Sequence, residues 1–265
     1  TGARARHRAG ASRPSYDIGG GVVAIHGGLV IDSTIDSNTA EGRGGGLATF
    51  GDLVVRNSTI SGNRASAQFG GGLFIRHPSL LDLRNSTISA NRAPDGAGVF
   101  ATATRAAFQS SIVAGNLADP RGSADVSGSR GIAITGTSNL IGDVASDVSV
   151  PADSLRGDPH LLPLAYNGGA TRTHALRSDS PGIDAGNNAA SLASDQRGNG
   201  YPRVVGAAAD IGAFEYDGVV SVPAGAPSAS SVPTLSAWVS GVLAALLAIA
   251  GLRATSRRLR TSPRA

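Results

Sequence analysis

The residues best suited to chemistry sit late in this 265-residue chain. Asp158, Asp184, Asp195, Asp210 and Glu215 are five acids set among apolar residues, with Arg197 and Arg203 nearby. Two chemistries fit such a set. Several aspartates could hold Ca²⁺ through oxygen ligands. Alternatively, Arg–carboxylate pairs and Asx turns could knit a loop-rich segment together. The sequence has neither EF-hand spacing nor a nonapeptide Gly-Asp repeat, so the structural reading leads. Asp158, Asp184, Asp195 and Asp210 stay as calcium candidates, and no other cofactor is expected. His174, in "THAL", has no HExxH companion. The absence of Cys removes thiolate metal sites and disulfides alike.

The elements that would position any such chemistry lie upstream, and they repeat. "GGGLATFGDLVVRNSTISGN" (44–63) is followed by "GGGLFIRHPSLLDLRNSTISAN" (70–91). Gly triplets or near-triplets start at Gly19, Gly44, Gly70 and Gly96, spaced by 25, 26 and 26 residues. A second marker runs in phase and ends on Asn38, Asn63, Asn91 and Asn116. A fixed period of this size signals stacked units. Leu53, Val55 and Leu81, Leu83 alternate with more polar neighbours, which is strand period. The parity then slips, because Ser58, Ile60 and Ser86, Ile88 read as the next inward pairs; a bend between two strands does this. Each unit is expected to hold about three short strands and three turns.

One such unit cannot bury its own apolar face, whereas stacked units can, with strands about 4.8 Å apart along the axis. The expected fold is all-β: a right-handed parallel β-helix with coils of about 25 residues. Its inward stacks read as Ile35, Ile60, Ile88, Ile112 and as Val30, Val55, Leu83. The fourth unit fits less well, since Arg105 falls where the others have apolar residues. Asn38, Asn63, Asn91 and Asn116 are expected at one bend in αL geometry, their amides bonded into a ladder. Asn57 and Asn85 open glycosylation patterns, but inside the repeat, which argues against modification.

A β-helix glycosidase needs carboxylates converging from adjacent coils. Asp32 aligns instead with Asn57 and Asn85, and Asp36 with Ser61 and Ser89. Asp52 and Asp82 have no acidic partner one coil away. The strands after each Gly triplet (22–26, 47–51, 73–77, 99–103) hold no carboxylate. His26 and His77 share a position two coils apart, too far for a shared metal. Aromatic residues make up 4% of the chain, little for stacking on sugars, and Phe50, Phe74 and Phe100 read as packing or isolated exposed residues. The chain reads as no enzyme.

Charge is uneven. Four of the 23 arginines lie in residues 1–13 and five in 253–264, leaving 14 against all 19 acids between them. A nucleic-acid binder concentrates basic residues on its folded part, so no nucleic-acid partner is expected. Asp217 and Arg253 bracket 35 uncharged residues. Residues 218–234 read as a flexible linker. "LSAWVSGVLAALLAIAGL" (235–252) would span about 27 Å as a helix, enough for a bilayer core. Trp238 falls at interface level, and the following arginines belong in the cytoplasm, leaving the coils outside.

The Gly-rich repeats over 19–120 resemble those of bacterial surface β-helix proteins, including polymorphic outer-membrane proteins and haemagglutinin-like adhesins. From Asn139 the period is lost. "NLIGD", "GDPHLLPLAYNGGATRTHAL", "SPGIDAGN", "DQRGNGYPR" and "DIGAFEY", in this order over 139–216, resemble the C-terminal module of choice-of-anchor Q proteins. Gly182 stands where that module has Ala. The resemblance implies a surface protein with varied anchors and no established enzymatic activity. "VPTLSAW", with Val232, Pro233, Thr234, Leu235 and Trp238, resembles the IPTL-type sorting signal read by an exosortase. Val232 and Val239 replace its usual Ile and Gly. That resemblance implies membrane tethering, cleavage near the motif and transfer to the cell surface.

The expected organisation is thus a lead-in (1–18), β-helix repeats (19–138), a loop-rich cap over the last coil (139–217), a linker with the sorting motif (218–234), a transmembrane helix (235–252) and a basic cytoplasmic tail (253–265). The expected function is adhesive or structural display outside the cytoplasm, with a glycan or protein ligand and an exosortase-type partner. The alternative is a polysaccharide lyase or hydrolase with its site in loops or in a missing N-terminal part.

Overall fold

The computed structural model describes residues 18–76, 79–102, 105–118, 125–129 and 131–218. The chain divides at Ala224, and all described residues belong to the first unit. From residue 18 onward the chain coils into a parallel β-solenoid of about four turns.

Four strands make up each turn rather than three, because the last corner also forms a two-residue strand. The first sheet stacks Val22–Ala24, Leu47–Thr49, Leu73–Ile75, Val99–Thr102 and Val126–Ser129. The second stacks Gly28–Ile31, Leu53–Arg56, Leu80–Arg84, Arg105–Gln109, Ile132–Thr135 and Val148–Ser149. The third stacks Thr34–Asp36, Thr59–Ser61, Thr87–Ser89, Ile112–Val113 and Leu140–Ile141. The fourth stacks Thr39–Ala40, Arg64–Ala65, Arg92–Ala93 and Leu117–Ala118. Every strand pair in these sheets is parallel, in the one-coil register that the repeat dictates.

The inward column of the third sheet is Ile35, Ile60, Ile88, Val113 and Ile141. Ile112 is not part of it. Ile112 pairs with Thr87, turns outward, and packs with Leu140, Leu176, Ile211 and Phe214 in a second core. In the second sheet Val30, Val55, Leu83 and Phe108 form one inward column. Arg105 pairs with Leu80 on the outward face and is exposed, while Ala106 and Phe108 take the inward places. A small residue beside a ring keeps the fourth coil filled.

The αL positions also differ from expectation. They fall on Asp32, Asn57, Asn85 and Ser110 at the corner between the second and third sheets. At the next corner they fall on Ser37, Gly62, Ala90 and Gly115, one residue before each ladder asparagine. Those asparagines keep ordinary φ, so their side chains can point inward along the axis.

The segment after the coils does two jobs. Residues 144–150 close the stack: Val144, Ala145, Val148 and Val150 pack on the main core. Residues from 155 to 216 then return along the side of the solenoid rather than over its end. Leu176, Ile211 and Phe214 pack on Ile112, Ala213 N donates to Thr87 Oγ1 (3.0 Å), and Thr59 Oγ1 donates to Gln196 Oε1 (2.6 Å). Gln196 Nε2 reaches the first coil at Thr34 Oγ1 (2.9 Å). The outer face of the third sheet is thereby covered from last coil to first.

Candidate functional site

The ladder asparagines form one continuous column. Asn63, Asn91 and Asn116 each accept, on Oδ1, both the backbone N–H and the Nδ2 of the asparagine one coil earlier. The distances are 3.0 and 3.0 Å for Asn38 to Asn63, 3.0 and 2.9 Å for Asn63 to Asn91, and 3.0 and 2.9 Å for Asn91 to Asn116. The second amide hydrogen goes to a backbone carbonyl, as from Asn91 Nδ2 to Ile60 O (2.9 Å). The column ends on a carboxylate: Asn116 N and Nδ2 donate to Asp125 Oδ1 at 2.9 and 2.7 Å. Asp125 also accepts from Asp143 N (2.7 Å). Its burial pushes its pKa up, against these donors. The sequence did not point to Asp125, which lies only nine residues after Asn116.

The glycine marker and the asparagine marker are one device. A Cβ on Gly46 or Gly72 would stand 2.9 or 3.0 Å from the Nδ2 of the same coil's asparagine. It would also come within 2.7 or 2.6 Å of a carbonyl in the next coil. Glycine is needed there so that the amide can fill the space. A second ladder runs through Ser33, Ser58, Ser86 and Ser111, each backbone N–H donating to the next hydroxyl and the last to Asn139 Oδ1. Asn57 and Asn85 are buried at 2% and 0% exposure, which closes both glycosylation patterns in the folded chain.

The late acids gather around two buried arginines. Arg203 Nη2 donates to Glu215 Oε2 (2.8 Å), with both side chains fully buried. Its other bonds go to Gly212 O and Asp210 O. Arg197 Nε donates to Asp195 Oδ2 (2.9 Å), and its guanidinium lies between the rings of Tyr201 and Phe214, 4.0 and 3.9 Å from their centroids. Burial pushes the carboxyls of Asp195 and Asp210 up and that of Glu215 up to about 7. Backbone N–H donors and the arginines pull each of the three back.

The calcium candidates are engaged by protein donors. Asp184 Oδ1 accepts from Ala207 and Ala208 N–H, Asp210 from Asp184 and Tyr216, and Asp158 from His160. Among the described residues no group of three or more acids and histidines is placed to hold a metal ion.

His174 has a partner that sequence spacing does not reveal. Its Nε2 lies 2.8 Å from Ser61 Oγ, and its Nδ1 lies 2.7 Å from Leu162 O. The Leu162 carbonyl requires a proton on Nδ1, so Nε2 accepts from the serine. This is the contact of a nucleophile with a base. Both side chains are sealed between the third sheet and the returning segment, at 2% and 6% exposure. Burial holds the imidazole below its ordinary pKa and hence neutral. The contact docks the segment on the coil.

On the outer side of the first sheet, Ala48, Phe74 and Phe100 form a small buried cluster against which Ile18 and Phe69 pack. Phe69 stacks on Phe100 (4.3 Å between centroids), and Phe100 lies against Phe74 (6.2 Å). Arg43 sits over Phe69 and Phe74 at 5.8 and 5.3 Å, and Arg76 over Phe50 at 5.6 Å. A cleft of about 380 Å³ runs between the two arginines. Phe74 and Phe100 are packing residues, as their positions suggested, while Phe69, Arg43 and Arg76 gave no signal beyond their one-coil spacing.

His77 and the sorting-motif residues Val232, Pro233, Thr234, Leu235 and Trp238 lie outside the described residues, as does the apolar stretch 235–252. Among the described residues no helix is long and apolar enough to cross a membrane. No protein-family model, curated protein or solved structure matches the chain.

Proposed function

We propose that this chain is a non-enzymatic β-helix displayed outside the cytoplasm, with an adhesive or structural role. The observation that carries this reading is the first sheet's outer face. It presents a cleft between two arginines, and its strands hold no carboxylate to act as acid or base. The nucleophile–base contact at Ser61 and His174 is sealed and serves docking. We take the late aspartates as structural, without calcium, and the solenoid as right-handed, the sense favoured for parallel crossovers.

Residues 235–252 serve as the membrane anchor, with Arg253, Arg257, Arg258 and Arg260 on the cytoplasmic side. The likeness of 139–216 to the choice-of-anchor Q module and of Val232–Trp238 to an exosortase signal supports sorting to the surface. Two measurements test the reading. Full-length protein incubated with a polysaccharide panel releases no new reducing or unsaturated ends; turnover would point to the lyase or hydrolase alternative. Mass spectrometry of protein from its host finds a C-terminus near Pro233; an intact Arg tail would replace sorting by a permanent anchor.

A further inference from the structure

We propose that the cleft on the first sheet binds an acidic saccharide, with Arg43 and Arg76 gripping its carboxylates. The proposal rests on the surface-display reading and names its ligand class. The cleft's volume of about 380 Å³ lies within the range of small-ligand sites. Its depth comes from the register. In the outward column Ala48 lies between Val23 and Phe74, so a methyl stands where the next coil carries a ring. Ile18 and Phe74 give the cleft apolar wall, while Gln68 and Thr102 add amide and hydroxyl groups.

The arginines are built in. Arg43 is held by the faces of Phe69 and Phe74, and its Nε donates to Gln68 Oε1 at 2.6 Å. Arg76 is held over Phe50. Stacking on a ring fixes a guanidinium plane while leaving its N–H edge for a planar carboxylate, which it meets as a two-pronged fork. The charge of the face matches. The strands at 22–24, 47–49, 73–75, 99–102 and 126–129 carry no carboxylate. Asp95, which bridges Phe69, already accepts from Gly96 N and Ser127 Oγ, both at 2.9 Å.

A ligand for this cleft needs carboxylates for the forks, hydroxyls for Gln68 and Thr102, and an apolar ring face for the walls. A uronic acid sugar has all three. Val23 and Ile25, exposed at 46% and 65%, extend the apolar surface at the first coil, giving a chain of such sugars room to continue.

The test uses the full-length chain and calorimetric titration with tetragalacturonate and with its methyl ester. Tetragalacturonate is expected to bind on the order of tenfold or more tighter than the ester, since each charge-assisted bond is worth that much. Arg43→Ala and Arg76→Ala are each expected to weaken it by a similar factor, and Arg43→Lys nearly as much, because Lys lacks the planar fork. Arg156→Ala, an exposed arginine on the returning segment, should leave binding unchanged. Equal binding of acid and ester overturns the proposal, as does binding indifferent to Arg43 and Arg76. Intact, unbound sugar with a folded protein overturns the cleft assignment and leaves the surface-display reading standing. Sugar that binds through Arg43 and is then shortened upholds the cleft and overturns the non-enzymatic reading.

Discussion

In the coils, a buried amide meets another buried amide one coil away, and the same solution recurs from Asn38 to Asn116. In the returning segment, a buried carboxylate meets an arginine once, and nothing repeats: Arg203 with Glu215, Arg197 with Asp195. Both regions must satisfy polar groups away from water. The coils do it with neutral side chains shared along an axis, so no single rung carries the whole load. The segment has no regular strands to pair its backbone. It relies on charged groups that each hold several loops, as Glu215 does for Arg203, Val205 and Asp210. Distributed neutral bonding tolerates local loss better than a few concentrated charges, because a lone buried charge costs far more than an unmet amide.

The largest effect is expected at Arg203. Arg203→Met leaves the Glu215 carboxylate buried and without its cation, and should cost about 3–5 kcal/mol in chemical denaturation. If the returning segment is an independent layer, the variant should lose its second core while far-UV signal from the coils persists. A single cooperative loss would show that the coils need the segment's cover.

A smaller effect is expected in the asparagine ladder. Asn91→Ala orphans the N–H and Nδ2 of Asn63 and should cost about 3 kcal/mol. Asn38→Ala should cost less, because among the described residues Asn38 Oδ1 accepts no bond. Equal costs at the two positions would mean that packing against glycine, not the amide column, carries the stability.

The smallest effect is a pH dependence. Burial lowers the folded pKa of His174 below the unfolded value, about 6.5. As pH falls through about 6.5 the unfolded chain takes up a proton that the folded chain refuses, so stability drops toward the folded pKa. The raised carboxyls act the other way. Glu215 favours folding at low pH and loses that contribution as pH rises from its ordinary 4.5 to about 7. The difference between the wild type and His174→Gln cancels the carboxyls. It should show wild type losing relative stability on acidification below about 6.5, and a flat difference would remove His174 as a buried docking group.

Much of the solenoid was legible because its period is redundant. Ile35, Ile60 and Ile88, and Val30, Val55 and Leu83, fall into columns from spacing alone. The fourth coil is ambiguous from spacing at Ile112, because Val113 is equally β-branched and apolar. Only pairing with Ile88 tells them apart. The ladder could be read from its repeated Asn, but Asp125, which ends it, could not, since it enters from outside the period. The cleft was harder still. Arg43, Phe69 and Phe74 come from two coils and meet only across them.

The coil follows from the order of the residues alone. A two-dozen-residue period of glycine, alternating aliphatics and asparagine has one way to bury its apolar face, and that is to stack. Where the returning segment lies depends on long-range contacts. Its contacts join residues more than a hundred positions apart, as Gln196 joins Thr34 and His174 joins Ser61. A pattern that occurs once carries no register, so its partner is fixed only by shape and by which buried polar groups can be satisfied together.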